Sequence, residues 1–212
     1  MKEVTAFQTS ADSSFCQHFN FWSILKLKRL FDLALCFIFA VVFFLPIVTV
    51  AALVRWTSPG PILFWSDRVG RQNQIFKMPK FRTMCVETPA LATHLLANPE
   101  AYLTPIGSFL RKSSLDELPQ LWSIMLGDMS FVGPRPALFN QNDLIELRTL
   151  QKVHTLVPGL TGWAQVNGRD ELSITCKVTF DAEYLTSQSF WFDIKILWLT
   201  FLKVLQRKGV SH

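Results

Sequence analysis

Between Leu33 and Val54 the chain runs L-A-L-C-F-I-F-A-V-V-F-F-L-P-I-V-T-V-A-A-L-V, 22 residues without a charge. About 20 such residues on a helix cover the hydrocarbon of a bilayer. The run is therefore expected to meet lipid, the alternative being a buried core helix. A cleaved signal peptide fits poorly, because the run is long, begins well inside the chain and lacks a small-residue cleavage pattern after it. Two features argue against a plain crossing. Cations stand at both ends, with Lys26, Lys28 and Arg29 before the run and Arg55, Arg68, Arg71, Lys77, Lys80 and Arg82 after it. The positive-inside bias then keeps both flanks on the cytoplasmic side. Pro46 lies past the middle of the run, where it removes a helical hydrogen bond and bends the axis. The expectation is a re-entrant hairpin that enters one leaflet, breaks near Pro46 and returns. The carbonyls it frees need a partner, since lipid offers none.

Half of the 212 residues are hydrophobic and 17% are charged. That is more apolar than an ordinary soluble domain of this length, and one membrane segment beside a soluble domain accounts for the excess. A net charge of +5 calls for anionic partners. Nucleic acid, acidic lipid and phosphorylated small molecules all satisfy it. Cys16, Cys36, Cys85 and Cys176 form no C-x-x-C pair and read as free thiols of a reducing compartment. His18, His94, His154 and His212 are scattered without metal-ligand spacing, which argues against a histidine metal site.

Residues 1–25 are a polar, then aromatic, lead-in without a motif. After the apolar run, S-P-G-P marks a turn, Ile62 to Trp65 a short strand and Gly70 another turn. The stretch Q-I-F-K-M-P-K-F-R-T-M reads as a strand carrying Lys77, Lys80 and Arg82 on one side, facing phosphate or forming a solvated basic edge. A-L-A-T-H-L-L-A-N, ended by Pro99, reads as a connecting helix. In R-K-S-S-L-D-E-L-P-Q two acids, Asp116 and Glu117, follow the cations Arg111 and Lys112. Ser114 and Glu117 have capping-box spacing, so Glu117 serves either a helix start or a site. Pro119 is awkward for the first option, because it disturbs the helix that the box would begin.

In G-D-M-S-F-V-G-P-R-P, Arg135 is held between Pro134 and Pro136 and loses little backbone freedom on meeting a ligand. Its planar fork suits phosphate oxygens. P-G-L-T-G-W-A-Q-V-N-G-R holds three glycines, explained by turns before a short strand, and the polar set Gln165, Asn167 and Arg169, suited to a base, a sugar or another phosphate. Neither G-x-G-x-x-G nor G-x-x-x-x-G-K-[ST] occurs, which removes the motif evidence for a Rossmann or P-loop site. The segment from Ser189 to Gly209 reads as an apolar helix with Asp193, Lys195, Lys203, Arg207 and Lys208 near its ends and on one stripe. Such a helix suits a membrane interface or a domain core.

Taken in order, K-R-L-F-D-L (28–33), the run with Pro46, S-P-G-P (58–61), R-V-G (68–70), K-F-R-T-M (80–84), L-R-K-S-S-L-D-E-L-P-Q (110–120), G-D-M-S-F-V-G-P-R-P (127–136) and P-G-L-T-G-W-A-Q-V-N-G-R (158–169) closely resemble the small monotopic phosphoglycosyl transferases among the bacterial sugar transferases. The resemblance covers roughly residues 26 to 210. It implies transfer of a sugar phosphate from a UDP-sugar to polyprenol phosphate, release of UMP and a requirement for Mg2+. It also implies that Asp116 is the nucleophile and Glu117 the metal ligand. Lys80, Arg82, Arg111 and Arg135 are then candidate phosphate ligands, Gln165, Asn167 and Arg169 further substrate contacts, and Lys28 and Arg29 headgroup contacts. Some small members have Ser before the matched proline, where this chain has Leu45.

The implied architecture is α+β: a lead-in (1–25), a re-entrant membrane helix (26–56) and a compact cytoplasmic catalytic domain with a small sheet and interfacial amphipathic helices (57–212). Its place would be the cytoplasmic face of the bacterial inner membrane, as the first membrane step of glycoconjugate synthesis. Among anionic partners the sugar nucleotide, the lipid phosphate and the bilayer then replace nucleic acid, and downstream glycosyltransferases would take the product. Two rivals are a non-catalytic scaffold on anionic lipid and a glycosyltransferase that releases UDP. The first leaves the ordered acid pair, the proline-clamped arginine and the Gly-rich polar turn without a purpose.

Overall fold

A computed structural model describes residues 26–88, 99–168 and 171–206. The expected helix at 90–98, Arg169 and the Gly209 stop lie outside these residues. The apolar run forms two helices, α1 (Lys26–Val42) and α2 (Phe44–Thr57), bent by 62°. Phe43 N–H still reaches Phe39 O at 2.8 Å, and Ile47 N–H reaches Phe43 O at 2.8 Å. Between them Pro46 supplies no N–H for the carbonyl of Val42. Pro46 thus stands in the first turn of α2, where a missing N–H costs least, and the break falls just before it. No single helix among the described residues is long and apolar enough to cross a membrane; the bent pair is, by length and composition.

α1 and α2 do not stand apart from the rest. Asp32 and Cys36 on α1 and Val50 and Val54 on α2 are buried. Around the bend, Phe37, Val41, Phe44 and Leu45 are all more than 60% exposed, an apolar surface of the kind that marks a docking face.

β1 (Leu63–Val69) and β2 (Ile75–Phe81) form an antiparallel hairpin with Leu63 opposite Phe81 and Val69 opposite Ile75. Period two separates the cations expected on one side of β2. Lys77 lies on the exposed face 3.5 Å from Asp67, whereas Lys80 is turned the other way. α3 (Gly107–Ser113), a 3-10 turn (Leu115–Gln120) and α4 (Leu121–Leu126) follow. β3 (Ser130–Val132) leads to β4 (Ala137–Leu138), which extends the first sheet to the order β2-β1-β4. α5 (Asn142–Leu150) precedes β5 (Gly159–Thr161), parallel to β3, and then come α6 (Trp163–Asn167), α7 (Ile174–Ser187) and α8 (Phe190–Gln206).

One core joins Cys36 of α1, Met78 of β2, Ile124 of α4, Phe131 of β3, Tyr184 of α7 and Ile196 of α8. A second joins Val50 and Val54 of α2 to Phe81 and Leu110. This mixture of small sheets and helices fits the α+β expectation. The glycines at 159 and 162 answer to packing rather than to turns. A Cβ on Gly159 would lie 2.1 Å from Gly133 N, and one on Gly162 2.1 Å from Gly133 O. Only bare backbone lets β5 and the loop after β3 approach so closely.

Candidate active site

α3 ends at Ser114, whose φ of 56° is left-handed, a conformation that costs an L-residue about 1 kcal/mol. The chain turns there and enters the 3-10 turn, with Asp116 and Glu117 in its first turn and Pro119 inside it. No capping box forms, because Ser114 makes no side-chain cap bond and its N–H goes back to Leu110 and Arg111. The Glu117 carboxylate is used across the fold instead. Its Oε1 accepts from Lys80 Nζ of β2 at 2.9 Å and from Arg135 Nη2 at 3.1 Å.

Asp116 beside it is only 8% exposed. Burial pushes its carboxyl up to about 6, with Lys80 and Arg111 pulling down and Glu117 pushing up. A carboxyl so tuned, held among cations, is the usual mark of a working group. Arg111 Nε donates to Thr83 Oγ1 at 3.0 Å, and burial lowers its pKa against the charge of Asp116.

Arg135 is fixed through the backbone of its own motif, whose three successive carbonyls are all held. Gly159 N–H donates to Pro134 O at 2.9 Å, Arg148 Nη1 to Arg135 O at 2.8 Å and Arg68 Nη1 to Pro136 O at 3.3 Å. Arg148 is in turn gripped by buried Asp181 of α7, which accepts from Nη2 at 2.6 Å and Nε at 3.0 Å. Prolines on both sides and three tethered oxygens leave the guanidinium of Arg135 little to lose on binding an anion.

The structure brings Lys80, Arg111, Asp116, Glu117 and Arg135, all candidates from the sequence, to one place. Other candidates stand elsewhere. Arg82 is buried and donates to Ser58 O and Pro59 O, closing the turn after α2. Asn167 Nδ2 bonds back to Trp163 O on its own helix. The Gln165 amide is buried with both polar atoms unpaired among the described residues. Lys28 and Arg29, expected at lipid headgroups, turn inward. Lys28 Nζ meets Asp193 Oδ2 at 2.5 Å and Val132 O at 3.0 Å, and Arg29 caps α4 through Ile124 O at 2.6 Å and Met125 O at 2.7 Å. A cation on the last carbonyls of a helix also complements its dipole. Asp193, expected near an end of α8 on its charged stripe, is buried and paired with Lys28.

Three residues escaped notice as parts of the site: Arg68, Arg148 and Asp181. Only Arg68 left a signal, the R-V-G motif; the other two meet across α5 and α7, a pairing with no local pattern.

The model of the family described as bacterial sugar transferase matches residues 23–207. The chain belongs to the bacterial sugar transferase family. The transferase is 40% identical over 186 residues to the uncharacterized sugar transferase EpsL of Bacillus subtilis, covering 88% of this chain and 91% of EpsL. It is 41% identical over 193 residues to the UDP-glucose:undecaprenyl-phosphate glucose-1-phosphate transferase of Escherichia coli, covering 86% of this chain but 41% of that relative. The exopolysaccharide production protein ExoY of Rhizobium meliloti is 34% identical, with 86% and 87% covered. The transferase therefore spans most of EpsL and ExoY and less than half of the Escherichia coli relative.

Proposed function

We propose that this transferase moves a sugar 1-phosphate from a UDP-sugar to polyprenol phosphate through a covalent intermediate on Asp116. The observation that carries the reading is the buried Asp116 carboxyl next to a Glu117 pinned between Lys80 and Arg135. The names of relatives that act on undecaprenyl phosphate support it, among them the Escherichia coli glucose-1-phosphate transferase and a galactose phosphotransferase of Salmonella typhimurium.

An Asp116 oxygen attacks the phosphorus that bears the sugar; the bond from that phosphorus to the bridging oxygen breaks, and UMP leaves with the electron pair. An oxygen of polyprenol phosphate then attacks the same phosphorus, the bond to Asp116 breaks, and the carboxylate is restored with a lipid diphosphosugar as product. Anion approaches anion in both steps. Two unit charges about 4 Å apart cost on the order of 4 kcal/mol at a near-surface dielectric, and Lys80, Arg111 and Arg135 offset that cost by holding phosphate oxygens. Covalent capture also lets a soluble donor and a lipid acceptor react in turn.

No cluster of three His, Cys, Asp or Glu side chains suited to a metal is found among the described residues. The adjacent carboxylates of Asp116 and Glu117 nevertheless fit Mg2+, which takes one or two carboxylates and completes its shell with substrate phosphates and water. Bound there through Glu117, it would neutralise charge on the diphosphate.

In this reading α1 and α2 form a re-entrant hairpin in the cytoplasmic leaflet of the inner membrane. Its support is the 62° bend and the apolar surface around it. Single cysteines at Asn20 and Lys77, in a chain with Cys16, Cys85 and Cys176 replaced, are expected to be shielded alike from an impermeant reagent in intact cells. Reactivity of one from outside with the other shielded would mean a true span. For the reaction, membranes given a panel of UDP-sugars and polyprenol phosphate are expected to release UMP. Release of UDP would make the protein a glycosyltransferase, and release of neither would make it a scaffold.

A further inference from the structure

Arg68 stands where β1, paired with β2 along its whole length, also takes up β4 on its other edge. It stands opposite Phe76 of β2 and Leu138 of β4, so it lies between the hairpin and the loop that carries Arg135. Alternation along β1 and across the ladder puts it on the same sheet face as Ser66 and Lys80. Two of its three nitrogens are used: Nε donates to Ser66 Oγ at 3.0 Å and Nη1 to Pro136 O at 3.3 Å. Nη2 has no protein partner among the described residues.

The electrostatics are unusual for a purely structural arginine. Burial first, and then the charge of Arg135, lower the Arg68 guanidinium to about 10, against the opposing pull of Glu117. It stays protonated at neutral pH. Two guanidiniums that feel each other in a partly desolvated place disfavour the empty site. A neutral donor would hold the Pro136 carbonyl without that cost. Among the described residues that interact there, Arg68, Lys80, Arg111 and Arg135 face the carboxylates of Asp116 and Glu117, so the site carries more positive than negative charge. An arriving anion relieves the repulsion.

We propose that Arg68 is a phosphate-binding residue, its tethered guanidinium presenting Nη2 to an oxygen of the donor diphosphate alongside Arg135. The inference rests on the sugar-nucleotide reading above. It assigns Arg68 to binding the diphosphate, with no part in proton transfer or bond making.

The test is equilibrium binding of UDP and of uridine to the detergent-solubilised full chain, for the wild type, Arg68→Gln and Arg68→Lys. Loss of one charge-assisted contact is expected to weaken UDP binding about ten- to hundredfold in Arg68→Gln, with uridine affinity unchanged and part of the loss recovered in Arg68→Lys. If the Gln variant fails to fold, the Lys variant carries the test, with UDP weakened and uridine unaffected. UDP affinity equal to wild type in the variants overturns the inference alone. Equal losses for UDP and uridine also overturn it, because they mean a displaced loop. A wild type that binds UDP no better than uridine removes the donor reading and this inference together.

Discussion

Asp116→Asn is expected to stop UMP release while making the protein more stable at neutral pH. Removing a nucleophile typically costs on the order of a thousandfold or more in turnover. The gain in stability follows from burial. Burial holds the carboxyl at about 6 in the folded chain against an ordinary value of 3.8. A group whose folded pKa exceeds its unfolded one favours folding in its protonated form. That benefit is complete below about 3.8 and lost as pH rises through about 6, so above 6 the ionised carboxylate weighs against the fold. Two pKa units correspond to about 3 kcal/mol, and for a chain of this length that shifts the melting midpoint by several degrees. Melting curves in chelator should show Asp116→Asn above the wild type at pH 7.5, with the difference shrinking towards pH 4. Retained turnover removes Asp116 as nucleophile. A variant less stable than the wild type at pH 7.5 means that the carboxylate is better solvated than its burial indicates.

The second large effect is expected far from the acid pair. Lys28 Nζ and Asp193 Oδ2 lie 2.5 Å apart with side-chain exposures of 12% and 5%, and Tyr184 donates its hydroxyl to Asp193 Oδ1 at 2.6 Å. Removing one member of a buried pair strands the other charge, which typically costs 3–5 kcal/mol. Lys28→Met strips Asp193 of its cation beside the equally buried Asp32. The expected result is a loss of about that size in denaturant unfolding, most of it regained in Lys28→Met combined with Asp193→Asn. The double-mutant cycle isolates the coupling. A single-variant loss below about 1 kcal/mol would mean that the pair is solvated and does not clamp α1.

How much of this could be read from the residues depends on the range over which each cause acts. The break before Pro46 is local, since a ring without N–H acts within one turn, and it was legible. So were the acid pair and the proline-clamped arginine, because charge in an apolar stretch and a fixed φ are properties of neighbours along the chain. Lys28 misled for the opposite reason. Flanking an apolar run, it matches a headgroup cation, yet its partner Asp193 lies 165 positions away. Arg82 stands two residues past Lys80, one position beyond the end of β2, and what separates their tasks is the turn after α2, whose Ser58 and Pro59 carbonyls hold the Arg82 guanidinium. Gly159 and Gly162 resemble turn glycines, although what demands them is the backbone of Gly133 on another strand.

Cys36 and Ile196 belong to one core, so α1 is a wall of the catalytic body and not a leash attached to it. Whatever surface the bend rests on, the distance from that surface to Asp116 is set by interlocked side chains, as by a ruler. A fragment cut after Thr57 to give a freely diffusing enzyme would open that wall. In the proposed reading Asp116 then works at one stand-off height from the bilayer, and the lipid acceptor has to be presented there.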